Sequence, residues 1–191
     1  MNLPNKLTFS RIFLIPVLMV FYLLETMPYG KIIAGVIFVI AIFTDFLDGY
    51  IARKHNLVTD LGKFLDPIAD KMLVTAGLLL VVADGTVPAP FGVVAIFIIL
   101  SRDFIVGVLR QMAAAKGTVI AADKLGKFKT VMQDFALIFL FVLSYFNVGG
   151  IMDSYTYDIY SVASYTLLAI AILLTIISGF NYIIKNRKLF K

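Results

Sequence analysis

Residues 44–53 read TDFLDGYIAR and close a long apolar run with two aspartates, a glycine and an arginine inside nine positions. Eight residues later, GKFLDPIAD (62–70) opens a second apolar run and adds Asp66 and Asp70. The intervening KHNLVT (54–59) is too short for anything but a tight connection. Two long apolar segments joined by a short polar loop form an antiparallel helical hairpin, with all four carboxylates at its closed end. That pair of stretches decides the fold, because a long apolar run extends outward from each of them.

The chain has 191 residues, of which 61% are hydrophobic and only 15% charged. Its mean hydropathy is +0.96. A water-soluble core could not hide that much apolar surface, so lipid must be part of the solvent. Six stretches are long enough to cross a bilayer, which takes about 20 residues each. They fall at roughly 9–26, 31–52, 63–83, 90–115, 126–147 and 159–184, separated by ETMPYGK, ADGTVPAP and YFNVGGIMDSYTYD among other polar breaks. The expected architecture is therefore an all-α integral membrane protein, one domain over 1–191. It has six transmembrane helices and a short amphipathic N-terminal lead-in. The first apolar run has no small-residue cleavage site after it, so it reads as a retained span.

Charge sets the orientation. With six spans, one side receives Lys6, Arg11, Arg53, Lys54, Lys63, Lys116, Lys124, Lys127 and the tail KNRKLFK. The other side holds Lys31 beside Glu25, Asp84, Asp153 and Asp158. Basic loops stay cytoplasmic, so both termini are expected there, in a cell membrane, with the carboxylate-rich end at the cytoplasmic face. The net charge of +5 is accounted for in this way, and nucleic acid is not expected as a partner. There is no cysteine and one histidine, His55, which excludes disulfides, thiolate metal sites and a multi-histidine site within one chain. His55 itself reads as an interfacial loop residue. Tyr155, Tyr157 and Tyr160 are expected at the outer interface.

Eleven of the twelve acidic residues are Asp, and four of them gather at the hairpin. On a helix turning about 100° per residue, Asp48 lies about 60° from Asp45, with Gly49 and Ala52 on the same side. Gly62, Asp66 and Asp70 share a still narrower arc of the next helix, where Pro67 is expected in the first turn or at a kink just inside it. Four like charges in a small volume protonate or splay unless cations neutralise them. Oxygen-only ligands favour Mg²⁺ or Mn²⁺, and four carboxylates suit two ions, the arrangement used for phosphoryl chemistry. The plain alternative is a ring of interfacial aspartates paired with Arg53, Lys54 and Lys63.

The pattern Asp45-x-x-Asp48-Gly49-x-x-Ala52-Arg53, eight residues, Gly62-x-x-x-Asp66-x-x-x-Asp70 resembles the complete signature of the CDP-alcohol phosphatidyltransferase family. The resemblance implies attack of an alcohol on the β-phosphate of a CDP-linked lipid, with CMP leaving. It implies metal ligation by Asp45, Asp48, Asp66 and Asp70, with Asp70 also taking the proton of the attacking hydroxyl. It implies contacts to CDP-diacylglycerol from Gly49, Arg53, Thr59 and Gly62, and from Asn5 and Thr8 ahead of the first span. A homodimer is implied too.

Three further stretches, LPNKLTFSR (3–11), SRDFIVGVLR (101–110) and AADKLGKFKT (121–130), resemble the members that use sn-glycerol 3-phosphate and make phosphatidylglycerol phosphate. The residues themselves suit an anionic acceptor. Arg102 and Asp103 fall inside an apolar run, where ionisable residues are functional candidates, and Arg110 shares a face with Asp103. LGKF occurs at 61–64 and again at 125–128, an offset that aligns Asp70 with Asp134 and crowds Lys124, Lys127 and Lys129 at the start of the fifth span. Arg102, Arg110 and these three lysines are the candidate phosphate binders. Packing ion pairs and flanking membrane charges are the competing readings. Inositol phosphate, serine or phosphatidylglycerol remain alternative acceptors. A prenyltransferase would show two separated Asp-rich motifs and more spans, and a divalent-cation transporter would place its carboxylates nearer the bilayer centre.

Overall fold

In lipid every backbone polar group must be satisfied within the chain, so apolar runs of this length become helices. The structure is a computed structural model that describes residues 3–24, 26–54, 60–115, 117, 124–149 and 153–187. Among them lie six helices: α1 (Leu3–Leu23), α2 (Gly30–Lys54), α3 (Asp60–Ala83), α4 (Ala89–Ala115), α5 (Lys124–Gly149) and α6 (Ser154–Lys185). The described residues contain no strand.

Four of the helices have stretches long and apolar enough to cross a membrane: Gly30–Ile51, Ala89–Ala114, Lys124–Asn147 and Ser154–Lys185. Leu7–Leu23 is a shorter apolar helix. Helix α3 is apolar only in its second half, because Asp60, Lys63, Asp66, Asp70 and Lys71 occupy the first. Large apolar side chains cover the outside, with Phe13, Phe43, Phe97 and Phe180 each more than 60% exposed. Such a surface is adapted to acyl chains rather than water. This is a membrane protein.

Three boundaries differ from the sequence expectation. The N-terminal lead-in is not a separate segment: α1 runs unbroken from Leu3, since Pro4 occupies a first turn that needs no N–H and Pro16 alone lies deeper. Helix α6 starts at Ser154 rather than 159, because Asp153 caps it by accepting from the Thr156 N–H at 3.1 Å and the Thr156 hydroxyl at 2.6 Å. Pro67 is the eighth residue of α3, past the first turn, because the polar stretch from Asp60 is itself helical. The tyrosines also divide, Tyr155 being 76% exposed while Tyr157 and Tyr160 pack against the core.

Helix α1 packs on α2 and α3, α5 on α2, α3 and α6, and α4 on α3 and α6. The core joins Leu18 and Tyr22 of α1 to Phe38 of α2 and Phe141 of α5. Phe38 meets Phe141 edge-on at 5.1 Å between centroids, and Tyr22 lies 5.3 Å from Phe141. At Gly77 of α3 a Cβ would come within 3.3 Å of Leu137, so the missing side chain sets how closely α3 and α5 approach. Helix α3 ends where Gly85 takes a φ of 78°, a left-handed conformation that suits glycine. These contacts place the polar half of α3 between α1, α2, α4 and α5.

Candidate active site

The carboxylate end is assembled by α1. Thr8 and Arg11 lie one turn apart on one face of that helix, and both are buried. Arg11 pairs with Asp45 near the end of α2. The Thr8 hydroxyl donates to Asp66 of α3 at 2.6 Å. One helix turn therefore straps both arms of the hairpin. Asp45 keeps 44% of its side chain exposed, so its charge is only partly withdrawn from solvent. Gly62 is buried one turn before Asp66, and Gly49 is half-buried one turn after Asp45. Thr59 lies outside the described residues, as do the side chains of Asn5, Asp48 and Arg53 and the loop residue His55.

Asp70 lies one turn deeper on α3 and faces a cleft between α3, α4 and α5. The polar lining of this cleft is Asp70, Lys71, Thr75, Asp103, Lys129, Thr130 and Gln133. Asp70 is within electrostatic reach of Asp45, Asp103, Lys129 and Arg11. Asp134 of α5 in turn feels Asp70, Lys129 and Asp45. The offset that aligned Asp134 with Asp70 in sequence thus corresponds to proximity in space.

The candidate phosphate binders separate into three groups. Lys129, 2% exposed, donates to both oxygens of Asp103 at 3.1 and 3.0 Å. Arg102 donates to the same carboxylate at 3.0 Å. Arg102 also depends on two glycines: a Cβ on Gly126 or Gly179 would stand 3.0 Å from its side chain. Lys124 and Lys127 are exposed at the start of α5. Arg110 sits apart, donating from Nε to the Tyr182 hydroxyl at 3.3 Å with its guanidinium 5.7 Å above that ring.

Arg102 and Lys129 gather on Asp103 with Lys71 close by, so three cations stand on one side of a cleft whose other charged group is Asp70. Lys71 donates to the backbone carbonyl of Asp103 at 3.1 Å and lines the same cleft. Cations grouped on one side in this way suit an anionic group.

Asp45, Asp66 and Asp70 are hard oxygen donors without a thiolate or imidazole among them, which fits a divalent cation of the Mg²⁺ or Mn²⁺ type. Among the described side chains no three acidic, His or Cys residues converge on one point. Asp45 and Asp66 are instead engaged by Arg11 and Thr8.

Sequence reasoning missed several of these residues. Arg11 looked like a flanking membrane charge; its spacing of three from Thr8 was the signal that both serve one face. Lys71 was hidden beside Asp70. Gln133 is an amide within a largely apolar run, a signal of the same kind that singled out Arg102.

At the far end of the bundle Asp84 organises a second polar cluster. Its Oδ2 accepts from the Tyr22 hydroxyl at 2.8 Å, from Lys31 at 2.7 Å and from Ser144, and its Oδ1 accepts from the Thr86 N–H at 2.9 Å. Burial pushes this carboxyl up, but the hydrogen bonds from Lys31, Ser144, Thr86 and Tyr22 outweigh it and hold the group below the usual carboxylate range.

The profile of the CDP-alcohol phosphatidyltransferase family matches residues 1–179. A CDP-diacylglycerol–glycerol-3-phosphate 3-phosphatidyltransferase of Bacillus subtilis is 39% identical over 197 residues, covering 97% of this chain and 95% of its own. Its counterpart in Rickettsia bellii is 38% identical over 189 residues, covering 99% and 97%. The enzyme of that name in Haemophilus influenzae is 39% identical over 191 residues, covering 95% and 91%.

Proposed function

The chain belongs to the CDP-alcohol phosphatidyltransferase family, and from that premise we propose that it transfers the phosphatidyl group of CDP-diacylglycerol to sn-glycerol 3-phosphate. The acceptor's terminal hydroxyl oxygen forms a bond to the β-phosphorus. The bond from that phosphorus to the CMP oxygen breaks, and CMP leaves as the anion. Asp70 takes the hydroxyl proton. The products are phosphatidylglycerol phosphate and CMP. The names of the near-full-length relatives support the acceptor.

One observation carries the mechanistic reading: Asp70 opens on the same cleft as Lys71 and Lys129. A carboxylate able to accept a proton and ammonium groups able to attract a phosphate are the two functions that a phosphorylated alcohol requires. Arg102 and Lys129, held by Asp103, attract the acceptor phosphate, while Lys124, Lys127 and Arg110 attract it from outside the cleft. Asn5, Thr8, Gly49, Arg53, Thr59 and Gly62 serve the CDP moiety, the glycines by letting it approach backbone. Asp45, Asp48, Asp66 and Asp70 would hold two Mg²⁺ or Mn²⁺ ions. Bound there, such ions supply positive charge to the pyrophosphate and to the departing phosphate.

The same proposal gives the protein six membrane crossings, cytoplasmic termini, and an active site at the cytoplasmic face of the cell membrane. Helices of 21 and 24 residues, α1 and α3, rise about 32 and about 36 Å, enough to cross. Lys54, Lys124 and Lys127 lie at the Asp70 end, whereas Asp84, Asp153 and Asp158 lie at the other, in the sense of the positive-inside rule. Because the chain has no cysteine, single cysteines at 54 and 153 would report sidedness directly. A homodimer belongs to the same reading and is checked by cross-linking in membranes.

The test is CMP release by purified protein given CDP-diacylglycerol, Mg²⁺ and one acceptor at a time. Glycerol 3-phosphate supports turnover; inositol phosphate, serine and phosphatidylglycerol do not. Preference for any of those three would reassign the acceptor, and release unaffected by EDTA would remove the metal from the mechanism.

A further inference from the structure

The cleft beside Asp70 contains a group to which the chemistry above gives no task. Gln133, one turn beyond Lys129 on α5, is 2% exposed, and its amide oxygen has no hydrogen-bond partner. It lines the cleft together with Asp70, Lys71, Asp103, Lys129 and Thr130. Most of these neighbours are engaged with one another. Lys129 is bonded to Asp103, Lys71 to the Asp103 carbonyl, and the Thr130 hydroxyl to the Gly126 carbonyl at 3.2 Å. A buried amide left unsatisfied destabilises the folded chain, and ligand groups are one way such a vacancy is filled.

The chemistry of the acceptor says which group would fill it. In a phosphorylated three-carbon polyol, one terminal hydroxyl reacts at Asp70 and the phosphate goes to the cations. The hydroxyl on the middle carbon is left. A hydroxyl both donates and accepts, so it pairs with a carboxamide whichever way the amide is turned. Gln133 also sits in the same cleft as the group that takes the proton and a cation that attracts the phosphate.

We propose that Gln133 determines acceptor specificity by hydrogen-bonding the non-reacting hydroxyl of a phosphorylated polyol held between Asp70 and Lys129. This rests on the acceptor reading given above. A site built around a hydroxyl discriminates strongly against the analogue that lacks it, because its own polar group is then left unpaired.

The experiment compares glycerol 3-phosphate with 3-hydroxypropyl phosphate, which keeps the phosphate and the terminal hydroxyl and lacks only the middle one. The wild-type protein favours glycerol 3-phosphate by on the order of 10²-fold in kcat/KM. Gln133→Met matches the side chain in length without its polar atoms. It brings that ratio to within about threefold, chiefly through loss on glycerol 3-phosphate, and leaves the KM for CDP-diacylglycerol unchanged. Equal loss on both acceptors would assign Gln133 to packing and overturn the inference. A wild-type ratio near one overturns it with no variant needed, so misfolding of the substituted protein cannot shelter it. Wild type that turns over glycerol 3-phosphate with such a ratio defeats the inference alone; wild type that uses neither acceptor defeats the acceptor reading and the inference with it.

Discussion

Asp84 and Asp70 lie at opposite ends of the same helix bundle and are treated in opposite ways. Asp84 is saturated: Tyr22, Lys31, Ser144 and the Thr86 N–H, drawn from α1, α2, α5 and the turn after α3, all donate to it. Asp70 faces a cleft, with charges of both signs, Asp45, Asp103, Lys129 and Arg11, within electrostatic reach. A carboxylate that satisfies itself within the protein ties helices together. One that faces a cleft is free to serve a ligand, which is the role the proposed function gives Asp70. The difference is one of partners, because both residues are aspartates at helix ends or within a helix of the same bundle.

The sharpest way to break this contrast is to remove each charge in turn. Asp70→Asn is expected to lower kcat by roughly 10²–10⁴-fold while leaving the thermal midpoint in detergent nearly unchanged. Full activity in that variant would show that another group takes the proton. Asp84→Asn should do the reverse. It leaves the Lys31 ammonium without its counter-charge in a half-buried place, and should destabilise the fold by about 3 kcal/mol, read as a lower midpoint of thermal unfolding. Activity per folded molecule should stay near that of the unmodified protein.

A pH series sharpens the same comparison. The Asp84 carboxyl titrates below its ordinary range in the folded protein, so the folded state favours the ionised form. Its stabilising contribution is therefore fully present above about pH 4 and is lost as the pH falls through the folded value. The midpoints of the unmodified protein and Asp84→Asn should be well separated at neutral pH and converge in acid; a constant gap would mean that the charge is not what stabilises. The smallest effect is expected at the exposed cations. Lys127→Ala should raise the KM for glycerol 3-phosphate by about two- to fivefold, as the loss of a screened surface charge does, and leave the KM for CDP-diacylglycerol alone. An equal rise for both substrates would remove Lys127 from the acceptor's path.

Much of this is legible in the sequence alone. The apolar runs predicted the helices, and the spacing of Asp45, Asp66 and Asp70 predicted which residues share an end. The boundaries were harder, because the caps that decide them are made by single residues such as Asp153. The cationic set was legible in kind but not in arrangement. Lys124, Lys127 and Lys129 are near neighbours in the chain, yet the first two are exposed and the third is buried on Asp103. Helical rotation separates them, and only the position of α4 determines which side is the inside.

What the sequence determined by itself is the chemistry on offer: a lipid-embedded helical chain with carboxylates concentrated at one hairpin and cations on the same side. Those properties depend on composition and on spacing along one helix, which local geometry translates directly. The tertiary structure decided the partnerships. It set Arg11 on Asp45, Thr8 on Asp66, and Lys129 with Arg102 on Asp103, and it buried Gln133 in the cleft of Asp70 with its amide oxygen unsatisfied. Each of these depends on which faces of different helices meet, and that is settled by packing over the whole bundle rather than by any one stretch.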